Sequence, residues 1–237
     1  MTAMNEPTPA QRVDLARQRL KAPRSAAIAG IAFALLYGSA MTLVALAIGG
    51  ADNVAAGTWL DTNSNNLSIA MLMIPYAGIA FLWFIGVIRD HLGDAEDRLF
   101  STVFLGSGLL FMALTFIASA QVSGLLTSYA LLSSTLIESG VFLYARSVVY
   151  QVLNLYAIRM AGVFMITLGT IWLRTGVMRR ALAVLTYVLA LVLLLSISLS
   201  IWVVLIFPAW VLLVSVIVLV RSFTIGSKGA PVEAGAG

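Results

Sequence analysis

Ten consecutive residues, Arg89-Asp90-His91-Leu92-Gly93-Asp94-Ala95-Glu96-Asp97-Arg98, hold four acids, two arginines and the only histidine of the chain. On a helical turn Asp90, Asp94 and Asp97 would share one face and could offer oxygen ligands to Mg²⁺ or Ca²⁺. The run lacks the twelve-residue calcium-loop pattern, and the chain has no second acidic motif such as metal-dependent lipid phosphotransferases carry. It therefore reads as a solvated, salt-bridged connector that could touch a cytoplasmic partner, and no metal is expected.

Arg159 poses a different problem. It follows Val148 by eleven residues and precedes Leu173 by fourteen, near the middle of an apolar run. A guanidinium keeps its charge, and at the centre of a lipid-embedded helix it costs roughly 2.5 to 3.5 kcal/mol on insertion scales. It needs acceptors. The nearest plausible carboxylate is Glu138, because none of the other apolar runs contains an acid. Pro75 offers a second source: a proline cannot bond the carbonyl four residues back, which frees the Met71 oxygen. Tyr37, Tyr76, Asn154, Tyr156 and Tyr187 are further polar candidates, so the candidate binding set is Arg159, Glu138, Tyr156, Asn154 and Pro75. Such an arginine could attract an anion along a route, hold a lipid phosphate, pair with an acid on another subunit, or simply tie the helices together.

Other chemistries are excluded by what the chain lacks. A single histidine in a loop cannot make a bis-histidine haem site or a His-Glu-x-x-His zinc site. Both lysines, Lys21 and Lys228, lie outside the apolar runs, which removes a retinal-type Schiff base. No aspartate lies within a run, which removes intramembrane aspartyl proteolysis and most proton relays. With no cysteine there are no disulfides, iron–sulfur clusters or thiol nucleophiles. Serines have no histidine base nearby, and phosphate-binding glycine loops are absent. Neither enzyme activity nor a cofactor is expected.

The elements that must position these residues are set by lipid. Residues 181–220 contain no charged side chain, twice the length one helix needs to cross a hydrocarbon core of about 30 Å. With 61% apolar and 10% charged residues, the composition lies far from soluble averages. Apolar runs at 26–49, 67–88, 99–120 and 148–173 join the long stretch, which is expected to fold as a helical hairpin turning at Ser196-Ile197-Ser198-Leu199-Ser200. The first run is long for the apolar region of a cleaved signal peptide and reads as a retained span.

The predicted fold is all-α, a polytopic transmembrane helix bundle of about six spans with both termini cytoplasmic. Residues 1–25 form a basic cytoplasmic segment, 26–221 the bundle and 222–237 a flexible cytoplasmic tail. This arrangement puts twelve of the fourteen basic residues on the cytoplasmic side, leaving Arg146 outside and Arg159 within a span. Segment 122–147 is apolar enough for a helix but carries Glu138 and Arg146. Making it a span would move Arg174, Arg179 and Arg180 outside, so it is predicted as an extracytoplasmic interfacial or re-entrant helix. Residues 51–66 read as a flexible outer connector, with a weak glycosylation pattern at Asn66-Leu67-Ser68. Trp59, Tyr144, Tyr150 and Trp202 fall near the outer boundary, and Trp83 and Trp172 near the inner one, as headgroup-level aromatics should.

Small residues should mediate packing, because lipid offers helices little hydrophobic reason to associate. Ala26, Gly30, Ala34, Gly38 and Thr42 form a stripe with a period of four. Gly106 with Gly108, and Gly162 with Gly169, extend the pattern to other runs. The stripe serves either bundle packing or docking of a second protein. Arginine preference and abundant Ala, Val, Leu and Gly suggest a GC-rich bacterial source and hence the inner membrane. The expected partners are anionic lipid headgroups and another membrane protein or a second copy, with no nucleic acid. The predicted role is an accessory, assembly or stabilising subunit docking through the first and fourth spans. The alternative is a small channel or transporter, possibly anion-handling, with Arg159 in its pathway.

Overall fold

A computed structural model describes residues 9–49, 56–92, 98–176, 178, 180–196 and 201–228. These residues are helical almost throughout, as they must be where no water can satisfy backbone N–H and C=O groups. Helix α1 spans Pro9–Gly49, α2 Ala56–Leu92, α3 Arg98–Glu138 and α4 Val141–Gln151. A single π-helical stretch, Val152–Ala157, continues α4 into α5, Ile158–Thr175. Helix α6, Arg180–Leu195, and a 3₁₀ turn at Ile201–Leu205 followed by α7, Ile206–Lys228, complete the fold.

Five helical stretches are long and apolar enough to cross a membrane: Arg24–Ala47, Ala56–Arg89, Leu99–Leu132, Val141–Thr175 and Val203–Ser222. Six spans were expected. The remaining apolar helix, Arg180–Leu195, has only 16 residues and falls short of that length. The stretch 181–220 does divide into two helices, and of the expected turn Ser196 lies outside helix while 197–200 fall outside the described residues.

Segment 122–147, expected as one interfacial or re-entrant helix, is divided in the structure among the end of α3, a short piece and the start of α4. Residues 122–131 continue α3, whose helix breaks at Leu132 (φ −143°, ψ 51°); a short helical piece runs on to Glu138, and after a tight turn on Gly140 the last residues begin α4. Gly140 has φ +73°, a left-handed conformation that a side chain would oppose. By length these helices exceed a bilayer's apolar layer: 34 or 35 apolar helical residues rise about 50 Å, against a hydrocarbon core of about 30 Å. α2 behaves likewise, and residues 56–66, expected as a flexible connector, are its first three turns. The basic N-terminal segment is similarly continuous with the first span from Pro9 onward, and the helix expected to end at 221 runs to Lys228.

The helices close into a ring: α1 lies against α2 and α7, α2 against α3, α3 against α5, and α5 against α6. The ring is shut by Trp210 of α7, whose Nε1 donates to Thr186 Oγ1 of α6 at 2.9 Å. At its centre Phe33, Phe81, Phe111, Phe164, Phe207 and Trp210 are all buried. Phe81 lies 4.6 Å from Phe33, 5.4 Å from Phe164, 5.7 Å from Phe111 and 5.8 Å from Phe207 between ring centroids, so one aromatic from α2 touches all four neighbours. Edge-to-face and tilted packing at these distances adds roughly 0.5–1.5 kcal/mol per pair beyond burial.

Small residues let the backbones approach. A Cβ on Gly30 would collide with Ser215 of α7 and come within 2.8 Å of Phe84 of α2. Gly162 faces Leu194 and Ala190, and Gly169 faces Thr186, so both receive α6. Ala26 and Ala34 are buried as well. The stripe on α1 thus packs inside the bundle, which leaves it unavailable to a second protein.

Candidate functional site

Arg159 is part-buried, and its Nη1 donates to the Leu155 carbonyl of its own helix at 2.6 Å. Helical side chains lean toward the N-terminus, so the guanidinium is carried outward along α5 into the π-helical stretch. Placed in a bilayer with the Arg89 and Arg174 ends at one surface, Arg159 sits about 22 Å from that surface, well above the midplane. The acceptors expected from sequence are elsewhere. Glu138 is exposed at the hairpin tip, separated from Arg159 by about 27 Å of helix. Pro75 lies on the outward face of α2, and Tyr156 is 54% exposed. Tyr37 is buried against Thr115, while Tyr187 shares a hydrogen bond of 2.7 Å with Thr170. Of the candidate binding set, Asn154 lines a cavity.

That cavity, of about 410 Å³, lies at the end of the bundle where α2, α3 and α4 outrun their neighbours. Met41 and Val44 of α1, Leu153 of the π stretch and Val204 form its apolar floor. Leu125 and Leu126 of α3 make one wall, with Trp59 and Leu67 of α2 behind. The opposite wall is mixed: α4 and the π stretch contribute Arg146, Ser147, Tyr150, Gln151 and Asn154 together with Phe142, Leu143 and Val149. The polar members are spaced by three and four residues, which places them in line along α4 and the π stretch. This polar stripe was visible in the sequence but hidden by the assignment of 122–147 as a separate element.

Hydrogen bonds stiffen the cavity's frame. Trp59 Nε1 donates to the Ala47 carbonyl at 2.7 Å, satisfying an acceptor in the last turn of α1 and fixing that helix to α2. Trp59 also meets Phe142 of α4 edge-on, with 5.6 Å between ring centroids. Farther out, the Tyr129 hydroxyl donates to Asp61 Oδ1 at 2.8 Å and so links the outer ends of α3 and α2. Asn154 Nδ2 donates back to the Tyr150 carbonyl at 3.2 Å, which leaves its side-chain oxygen as a polar group at the cavity. A π-helical turn, frequently found at functional sites, widens the helix where this mixed wall meets the apolar floor.

At the opposite end the basic residues serve as ties. The Arg174 guanidinium lies 4.4 Å from the Phe100 ring centroid, and Arg221 Nη1 reaches Met178 Sδ at 3.5 Å. The aromatic expectation is met in part: Tyr144, Tyr150 and Trp83 are exposed, but Trp59 and Trp172 are buried in the bundle. Of the acidic run, Arg89 to Leu92 close α2, and 93–97 lie outside the described residues. Among the described residues, no group of three or more His, Cys, Asp or Glu side chains could hold a metal ion. No protein-family model, curated protein or solved structure matches the chain.

Proposed function

We propose that this chain is a non-catalytic subunit of a bacterial inner membrane, spanning it six times with both ends in the cytoplasm and acting through helix–helix contact. The observation that carries this reading is the aromatic filling of the ring. A route for an ion or solute needs polar groups or a gated opening along its length. Here the middle of the bundle is occupied by phenylalanines and Trp210, and Arg159 bonds its own helix. The cavity ends above this seal, at its apolar floor.

The outward surface supports lateral contact. Leu72, Ile79 and Trp83 of α2 are exposed beside Pro75, and among them Tyr76 is 59% exposed near the middle of the apolar run. A hydroxyl in hydrocarbon gains from an acceptor on a neighbouring helix. With the α1 stripe buried, this face of α2 is the better docking face. The sixth span in this reading is α6, whose 16 residues are short for a full crossing and suited to local thinning of the bilayer.

Purified protein in liposomes should pass no anions, and a single cysteine replacing Ile79 should form a cross-link in native membranes that one replacing Leu191 does not. Anion flux that falls on Arg159→Ala would establish the channel or transporter reading instead.

A further inference from the structure

We propose that Arg159, at the level where α6 ends, takes the phosphate of an anionic phospholipid in the leaflet farther from the Arg89 and Arg174 ends. One of its five N–H groups is engaged by the Leu155 carbonyl, and the other four bond nothing among the described residues. The side chain is part-buried, and its free donors are not enclosed by protein. A guanidinium that stays charged in an apolar run, with most of its donors open, calls for an anion.

A second observation brings the anion within reach. Helix α6, Arg180–Leu195, rises about 24 Å, roughly 6 Å short of the hydrocarbon core. Its outer end is fixed against α5: a Cβ on Gly162 would lie 3.0 Å from Leu194 Cγ and 3.2 Å from the Ala190 carbonyl oxygen. Arg159 stands one turn beyond Gly162, level with the last residue of α6. It also lies about three turns above Thr170, on the edge of α5 where Thr170 bonds Tyr187 of α6. The cation and the end of the short helix therefore share one place. A bilayer meets a short helix by thinning, which lowers its headgroups toward that end. Side-chain lean carries the guanidinium outward to meet them, and its forked donors match phosphate oxygens. The described acids nearest this side, Asp61 and Glu138, lie in the end turns of α2 and α3, outside the run that holds Arg159. A zwitterionic headgroup would bring its own cation toward the arginine. The assignment rests on the reading of α6 as a short span.

Native mass spectrometry of protein released from nanodiscs of phosphatidylglycerol and phosphatidylcholine, in equal parts and with the same chains, tests it. Phosphatidylglycerol should be enriched about fivefold among the retained lipids, the size of a partly screened ion-pair preference. Arg159→Gln should abolish the enrichment, Arg159→Lys should keep part of it, and millimolar inorganic phosphate should not displace the lipid. Equal retention by the unaltered protein, or the same enrichment in Arg159→Gln, overturns the assignment. Displacement by phosphate overturns it in favour of a soluble anion. Loss of a co-purifying membrane protein from Arg159→Gln, with lipid retention unchanged, overturns it in favour of a partner's carboxylate.

The level of α6 is read separately. Leu191 and Leu195 are both exposed and one turn apart. In the same nanodiscs Leu195→Cys should react with a water-soluble maleimide, while Leu191→Cys should stay protected. Reaction at Leu195→Cys without phosphatidylglycerol enrichment sinks the lipid site and leaves the short span standing. Protection at both positions removes the short span and the lipid site with it.

Discussion

Gly30 and Gly38 stand two helical turns apart on α1, yet the same substitution should act oppositely at each. A Cβ at position 30 meets Ser215 and Phe84, while at position 38 its nearest contact is the Pro208 Cβ at an ordinary 3.9 Å. Gly30→Ala should therefore destabilise by about 1–3 kcal/mol through overpacking. Gly38→Ala should be neutral or stabilising by up to about 1 kcal/mol, since alanine favours helix. Thermal denaturation in detergent checks both, and equal losses would show that the α1–α7 contact is not as described. Thr186→Val should cost about 1–3 kcal/mol by leaving the buried Trp210 N–H without its acceptor. Arg159→Leu should leave the thermal midpoint unchanged or raised, because its hydrogen bond goes to a carbonyl of its own helix and its charge is unfavourable in lipid. A marked fall would mean that Arg159 ties helices together. Sequence identified Arg159 as costly, but it could not choose the acceptor, because a helix backbone offers carbonyls that leave no trace in residue identity.

The hairpin of α3 and α4 is the element on which sequence and structure part. Hydropathy reports where a chain can lie in lipid, and a helix that continues beyond the membrane surface keeps its backbone bonds without an apolar signal. Residues 122–147 mix leucines with Ser, Thr, Glu138 and Arg146, so they read as an element of their own. The structure divides them at Leu132 and at Gly140, with 122–131 closing the regular part of α3 and 141–147 opening α4. Because the chain reverses at this tip, Arg174 near the end of α5 lies toward the same end of the bundle as Arg98 at the start of α3. Gly140→Val should loosen this tip, as a β-branched residue opposes φ +73°. Hydrogen exchange at the ends of α3 and α4 should rise while the amides of α5 stay protected. The π-helical stretch has no signature in residue type and was not foreseen.

For the whole molecule, the absence of native cysteine makes orientation directly measurable. Ser128→Cys and Tyr144→Cys should react with a membrane-impermeant maleimide on intact cells, and a tag after Gly237 should become accessible only once the membrane is opened. The reverse pattern would invert the orientation and move the cavity to the cytoplasmic side. Residue order alone determined the helical, lipid-compatible class and the positions of the apolar runs, because each follows from local composition. Tertiary structure decided that helices pack into a ring sealed by aromatics, that the α1 stripe is spent within it, and that Arg146 and Asn154 share a cavity. Those outcomes depend on which helices are neighbours and how far each one outruns the bilayer, and both are settled by side-chain packing between segments distant in the chain.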